Sequence, residues 1–258
     1  MDKLKVITVV GTRPELIKMS AIIKKFDVLF HHIFIHTGQN YDEGLRDVFY
    51  EDLDIRLPDY SLNLVGTDSI STTSKVIDGV GSLLKTIKPD AFVIYGDTNS
   101  CLSVIAAKKL KIPIFHLEAG NRCFNENVPE EVNRKVVDHL SDINMPLTEH
   151  ARRYLLDEGL KGERIFKIGS TLPEVIQSIE PKLKSNIILE KYGLSAGEYF
   201  LVSIHREENV DNEKNRTQIV ECLHWLKSEY DLPIIISLHP RTKSKLSSET
   251  LASADFIF

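Results

Sequence analysis

Asp97, Glu118 and Glu130 are three acids whose surroundings suit proton handling, while Arg13, Lys18, Arg134 and His205 are cations placed to hold an anion. Asp97 follows the apolar run AFVIY in Gly96-Asp97-Thr98-Asn99-Ser100. A carboxylate at a strand's carboxyl end lies in the crevice where open parallel sheets bind ligands, although an Asp there also suits a helix cap. The next apolar run decides between the two. IPIF leads into His116-Leu117-Glu118-Ala119-Gly120, and capping alone is a poor explanation for two neighbouring strands that both end in acids. Glu130 and Arg134 stand in Pro129-Glu130-Glu131-Val132-Asn133-Arg134. Proline opens a helix, and the i, i+4 spacing turns both side chains to one face; a surface ion pair contributing roughly a few tenths of a kcal/mol would have the same spacing.

The cations form an anion clamp in the same sense. Gly11-Thr12-Arg13-Pro14-Glu15 ends the first apolar run and opens the helical pattern LIKMSAIIKKF, so free amides at the helix start, with Arg13 and Lys18, make a cradle for phosphate. A plain strand-to-helix turn with a surface Arg and Lys remains the alternative. Arg122 is a further phosphate candidate or a solvated side chain. His205 follows YFLVSI in His205-Arg206-Glu207-Glu208-Asn209, where a histidine serves pyrophosphate recognition, proton handling or structure. His239-Pro240-Arg241 repeats that theme more weakly and is read as structural. Proton handling beside an anion clamp suits a phosphorylated substrate in which one carbon gains and loses a proton. Neither GxGxxG nor GxxxxGK[ST] is present, so dinucleotide redox and P-loop hydrolysis lose support. Elimination of the phosphate is then the route that makes such a carbon labile.

These residues need a scaffold. Apolar runs of strand length alternate with amphipathic stretches, the pattern of buried parallel strands with crossover helices. The spacing predicts strands at Val6–Val10, His32–His36, Ala91–Tyr95, Ile112–Leu117, Ile143–Pro146 and Ile165–Ile168, with helices starting near Pro14, Ser69, Asn99, Pro129, Thr148 and Leu172. This is an α/β doubly wound domain over residues 1–175, carrying the three acids. Residues 176–258 are a polar linker and the start of a second, similar domain: strand Phe200–Ile204, helix Asp211–Tyr230 and strand Pro233–Leu238. The closing run SADFIF is strand-like with nothing after it to pair or cover it, so the second domain is expected to be incomplete.

Thirty-two Lys and Arg against 37 Asp and Glu leave a net charge of −5, which supplies no global field for nucleic acid or acidic membrane. Cys101, Cys123 and Cys222 are too scattered for a disulfide framework or zinc site, and HREEN is not HExxH. No metal and no cofactor are expected. The apolar run before Gly11 is too short for a signal sequence, and nothing approaches a membrane span, which predicts a cytoplasmic protein.

GTRPELIK at Gly11–Lys18, TGQNYD at Thr37–Asp42, GDTNS at Gly96–Ser100, HLEAG at His116–Gly120, VPEEVNRK at Val128–Lys135 and HREEN at His205–Asn209 occur together and in order. In these six motifs the chain resembles the non-hydrolysing UDP-N-acetylglucosamine 2-epimerases of bacterial polysaccharide synthesis. The resemblance implies two Rossmann-like, GT-B-like domains, a UDP-sugar substrate and a homodimer. It also implies inversion at C2 by loss and return of UDP through a 2-acetamidoglucal. It makes Asp97, Glu118 and Glu130 the acid/base carboxylates, and Arg13, Lys18, Arg134 and His205 the substrate and diphosphate contacts. GNRCFNENVP, between Glu118 and Glu130, departs from the GLRT-type sequence of the common enzymes. It is similar instead to a capsule and O-antigen branch that inverts C2 of UDP-2-acetamido-2,6-dideoxy-L-talose to give UDP-N-acetyl-L-fucosamine. The family's later SGG-x-QEE segment, which holds UDP, has no counterpart before Phe258, so these residues alone are expected to bind UDP poorly. A GT-B glycosyltransferase, a hydrolysing epimerase or a non-catalytic nucleotide-sugar-binding module are the alternatives on this scaffold.

Overall fold

Four of the six residues of Lys5–Val10 (β1) are apolar because both of its faces are covered: Ile7 and Val9 enter one cluster, Val6 and Val10 the other, and all four are buried. A strand buried on both sides belongs to the centre of a parallel sheet. The computed structural model describes residues 3–38, 43–184, 187–204, 211–238 and 256–257, in two compact units, Met1–Pro181 and Lys182–Phe258.

The first unit is built on a six-stranded sheet. After β1 come helix α1 (Arg13–Leu29), β2 (His31–His36), α2 (Glu43–Asp52), the short β3 (Tyr60–Ser61), α3 (Ser69–Ile87) and β4 (Ala91–Tyr95). A 310 turn at Asn99–Ser103 leads into α4 (Val104–Lys109), followed by β5 (Ile114–Leu117), α5 (Pro129–Leu140), β6 (Ile143–Met145), α6 (Glu149–Asp157) and α7 (Leu172–Lys184). The strand order is β3-β2-β1-β4-β5-β6, with every pair parallel. The chain turns back at β1 and β4, the switch point beside which such sheets bind ligands. Val76, Val80 and Leu84 of α3, with Val104 and Ala107 of α4 and Val137 of α5, cover one face. Leu16, Met19 and Ile23 of α1, Tyr50 and Leu53 from α2 and its end, and Val175 of α7 cover the other. Helix α3 starts at Asp68, whose carboxylate accepts from the Ser71 amide at 2.7 Å, and stops at Lys88 in the left-handed conformation, φ +50°.

One expected strand is corrected, and two elements of the first unit appear that the apolar spacing does not predict. Ile165–Ile168 is not a full strand: one bridge joins Ile165 to Asn144, and the Phe166 and Ile168 amides donate to Asn144 and Pro146. The edge strand beside it, β6, is only three residues long, leaving little ladder to extend. β3 has two residues, too few to leave a periodic signal in the sequence. Helix α2 was likewise absent from the expected elements.

The second unit contains a short helix, α8 (Ile188–Lys191), then β7 (Phe200–Ile204), α9 (Glu213–Tyr230), β8 (Ile234–Leu238) and β9 (Phe256–Ile257). These strands form a parallel sheet in the order β7-β8-β9. Leu223 of α9 is buried with Ile234 and Ile236, and Phe200, Val202, Ile219 and Leu226 pack against them. The closing run is therefore not left unpaired: Phe256 and Ile257 pair with Ile234 and Ile235.

Candidate active site

Each of the two strand-end acids sits beside a backbone turn that ordinary side chains resist. Gly96 leaves β4 at φ +79° immediately before Asp97, Glu118 itself stands at φ +65° after β5, and Gly120 follows at φ +81°. A left-handed residue with a long side chain is costly and persists only where its surroundings hold it. Gly11 serves a different need, because a Cβ there would lie 1.8 Å from Ser100 Oγ and 2.6 Å from Thr37 Oγ1. The β1 and β4 loops thus touch, and the smallest residue lets them do so.

Glu15, three residues after the Thr12 cap, joins the same loops. Its buried carboxylate accepts from the Gly11 amide at 2.7 Å, the Thr12 amide at 2.8 Å and the Thr98 hydroxyl at 2.6 Å. Burial pushes its pKa above the ordinary value against the pull of those donors. Thr12-Arg13-Pro14-Glu15 is a T-x-x-E capping box, so this residue had a sequence signal that went unused.

Asp97 lies within electrostatic range of both Glu118 and Glu130. Burial pushes the Asp97 carboxyl above its ordinary range, the Arg134 guanidinium opposes this, and the charges of Glu118 and Glu130 push it up further. Arg134 donates to Asp97 Oδ2 through Nε at 3.0 Å and lies 2.7 Å from it through the second amino group. Lys18 pairs with Glu118 at 2.6 Å, with its ammonium 5.2 Å from the centre of the Tyr95 ring. Burial, opposed by a hydrogen bond with Thr171 and aided by neighbouring Glu118, pushes the Tyr95 phenol upward. Arg13 occupies the first turn of α1 with its guanidinium 5.8 Å from the Phe49 ring centre. His205, and the Gln39–Asp42 part of TGQNYD, lie outside the described residues.

Helix α5 departs from the expected pairing. Glu130 is exposed and makes no ion pair among the described residues; the partner of Arg134 on its own helix is Glu131, at 3.0 Å. Glu131 is buried and also accepts from the Cys123 and Phe124 amides, both at 3.1 Å. Burial would raise its pKa, but those amides, the Cys123 thiol and Arg134 outweigh it and hold the carboxyl below its ordinary range. Its i, i+3 spacing to Arg134 was the available signal. Asn133 adds a bond from its amide to the Asp97 carbonyl at 2.9 Å. Arg122 is committed internally: its side chain is 1% exposed, 2.7 Å from Asp138 and 2.6 Å from Glu158.

A cavity of about 660 Å³ lined by Lys85, Lys88 and Lys111 opens at the amino-terminal ends of β4 and β5, the opposite end of these strands from the acids. Among the described residues no cluster of His, Cys, Asp and Glu could hold a metal ion, and no helix is long and apolar enough to cross a membrane.

Residues 24–257 match the family model of the UDP-N-acetylglucosamine 2-epimerases. The chain belongs to this family. Its structure is similar to that of a UDP-N-acetylglucosamine 2-epimerase from Rickettsia bellii, with a TM-score of 0.90 and 49% identity over 99% of this chain and 68% of that one. It is also similar to the Methanocaldococcus jannaschii UDP-GlcNAc 2-epimerase in complex with UDP-GlcNAc and UDP, with a TM-score of 0.87 and 35% identity over 98% of this chain and 72% of that one. A UDP-2,3-diacetamido-2,3-dideoxy-D-glucuronate 2-epimerase from Pseudomonas aeruginosa is 35% identical over 93% of this chain and 68% of its own length. The family accounts for the α/β architecture, the GT-B-like fold class and the assignment to the epimerases.

Proposed function

We propose that the protein inverts C2 of a UDP-2-acetamido sugar, with UDP-N-acetylglucosamine and UDP-N-acetylmannosamine as its interconverted pair, in bacterial surface polysaccharide synthesis. The observation that supports this reading is that buried Asp97 lies within range of the charges of Glu118 and Glu130, with Arg134 paired to Asp97 and Lys18 to Glu118. Proton transfer to and from carbon needs carboxyls whose affinity for protons lies above the ordinary, and burial moves Asp97 in that direction.

The reaction is an elimination and its reverse. A carboxylate removes the C2 proton while the C1–O bond breaks, giving UDP and a 2-acetamidoglucal; UDP then returns to C1 as a proton is delivered to the other face of C2. Asp97, Glu118 and Glu130 serve as the acid/base set. Arg13, Lys18, Arg134 and His205 hold the diphosphate and stabilise the charge that departs with it. An incoming diphosphate competes with Glu118 for Lys18 and with Asp97 for Arg134, which frees the acids for proton transfer as the substrate binds. No cofactor or metal enters this chemistry.

The Pseudomonas aeruginosa relative is named for a different UDP-sugar at similar identity, so a second substrate, UDP-2-acetamido-2,6-dideoxy-L-talose, is retained on the strength of the Asn121–Val128 loop. Incubating the full-length protein with each UDP-sugar in deuterated buffer, followed by proton NMR, tests the proposal. Deuterium at C2 of the recovered sugar nucleotide and its C2 epimer is expected. Free sugar, transfer to an acceptor, or tight UDP binding without exchange would replace it with the hydrolase, transferase or binding-module reading.

A further inference from the structure

A buried chain of charges runs beneath the acids and reaches both of their backbones. Asp138, on α5 one turn beyond Arg134, is completely buried, as is the ring of His116 in β5. His116 Nε2 lies 2.8 Å from the Gly96 carbonyl, and Nδ1 lies 2.9 Å from Asp138 Oδ1, off the line of a straight hydrogen bond. The Gly96 carbonyl can only accept, so Nε2 donates to it, while Nδ1 rests in close polar contact with the Asp138 carboxylate. Asp138 also accepts from the Gly120 amide, 3.2 Å from each carboxylate oxygen, and from Arg122 at 2.7 Å. Arg122 is itself held by both oxygens of Glu158, at 2.6 and 2.7 Å.

The attachment points are specific. The Gly96 carbonyl belongs to the peptide plane whose nitrogen is that of Asp97, so fixing it fixes the direction in which Asp97 leaves β4. His116 and Gly120 bracket Glu118, whose φ of +65° needs restraint from both sides. We infer that Asp138, acting through His116 and the Gly120 amide, is a positioning residue that sets the two strand-end carboxylates against each other. This inference rests on the proposed C2 epimerisation for its kinetic consequence but not for its geometry.

Displacement of a reacting group by about 1 Å costs on the order of a hundredfold in rate. In the full-length protein, Asp138→Asn should therefore lower kcat for C2 exchange by about tenfold to a hundredfold while leaving KM within about threefold, since neither residue touches the anion clamp. In the same variant, 15N-edited NMR should show the His116 ring proton and Gly120 amide signals displaced, because both groups lose the Asp138 carboxylate. A folded Asp138→Asn protein with unchanged kcat, or with KM raised and kcat intact, would overturn the inference. If Asp138→Asn does not fold, His116→Gln and His116→Ala are compared instead. Gln keeps a donor for the Gly96 carbonyl and should retain a clearly higher kcat than Ala, and equal values would overturn the inference. If the unaltered protein exchanges nothing at C2, the functional reading fails, and the His116 proton signals alone then decide whether the strut exists.

Discussion

At Asp97, burial and two neighbouring acids oppose one guanidinium, and burial with the acids prevails. A folded-state pKa above the unfolded value means that the protonated form is the one favoured by folding, so the group's contribution is present below the ordinary Asp range and is lost as pH rises through the folded value. Asp97→Asn removes that burden. Its urea midpoint should equal or exceed that of the unaltered protein at pH 7, with the gain disappearing toward about pH 3.5; a loss that grows with pH would show that the Arg134 pair dominates instead. C2 exchange should meanwhile fall about 10²- to 10⁴-fold, as expected for loss of a general acid or base, measured by deuterium incorporation. Asp97 and Glu118 were legible in the sequence because an acid straight after an apolar run has a known address, the carboxyl end of a strand. Glu131, Asp138 and His116 were not, because their importance lies in what they touch across 8 to 20 residues of intervening chain, and a single sequence does not reveal partners.

Among the elements, the turns after β4 and β5 differ in how tightly they are enclosed. Gly96 and Gly120 have nearly the same φ, but a Cβ at Gly96 meets nothing within 4 Å, whereas one at Gly120 would lie 2.4 Å from the Ala151 carbonyl oxygen on α6. Gly96→Ala should cost about 1–2 kcal/mol, the penalty of the left-handed conformation alone. Gly120→Ala should cost roughly 1–3 kcal/mol more, because backbone must shift. Urea unfolding of the two variants gives the comparison, and equal costs would contradict the close contact with α6. Helix starts were well marked beforehand by Pro14, Pro129 and Thr148, since caps and first-turn prolines act locally. The failure at Ile165–Ile168 is of the other kind: an apolar run forms a strand only if its neighbour is long enough to pair with it.

For the molecule as a whole, the pattern of apolar runs sufficed to establish the α/β class, because strands buried on both faces leave little else to be read. What it did not convey was the pairing of β9 with β8, which joins residues about 22 positions apart. Acid should destabilise the protein through its depressed carboxyls. Asp138 is pushed up by burial but held below its ordinary range by His116 and Arg122, and Glu131 is depressed by its amide donors. Their stabilisation is present above the ordinary carboxylate range and is lost as pH falls through the folded values. Urea midpoints should therefore drop steeply below about pH 4, and more shallowly in Asp138→Asn. At the far end of the strands from the acids, α3 stops on Lys88 at φ +50°. Lys88→Gly should raise the melting temperature, by relief of about 1 kcal/mol, with C2 exchange unchanged; calorimetry and the deuterium assay check the two halves. The pole of the sheet remote from the acids thus offers a handle on robustness that leaves turnover alone.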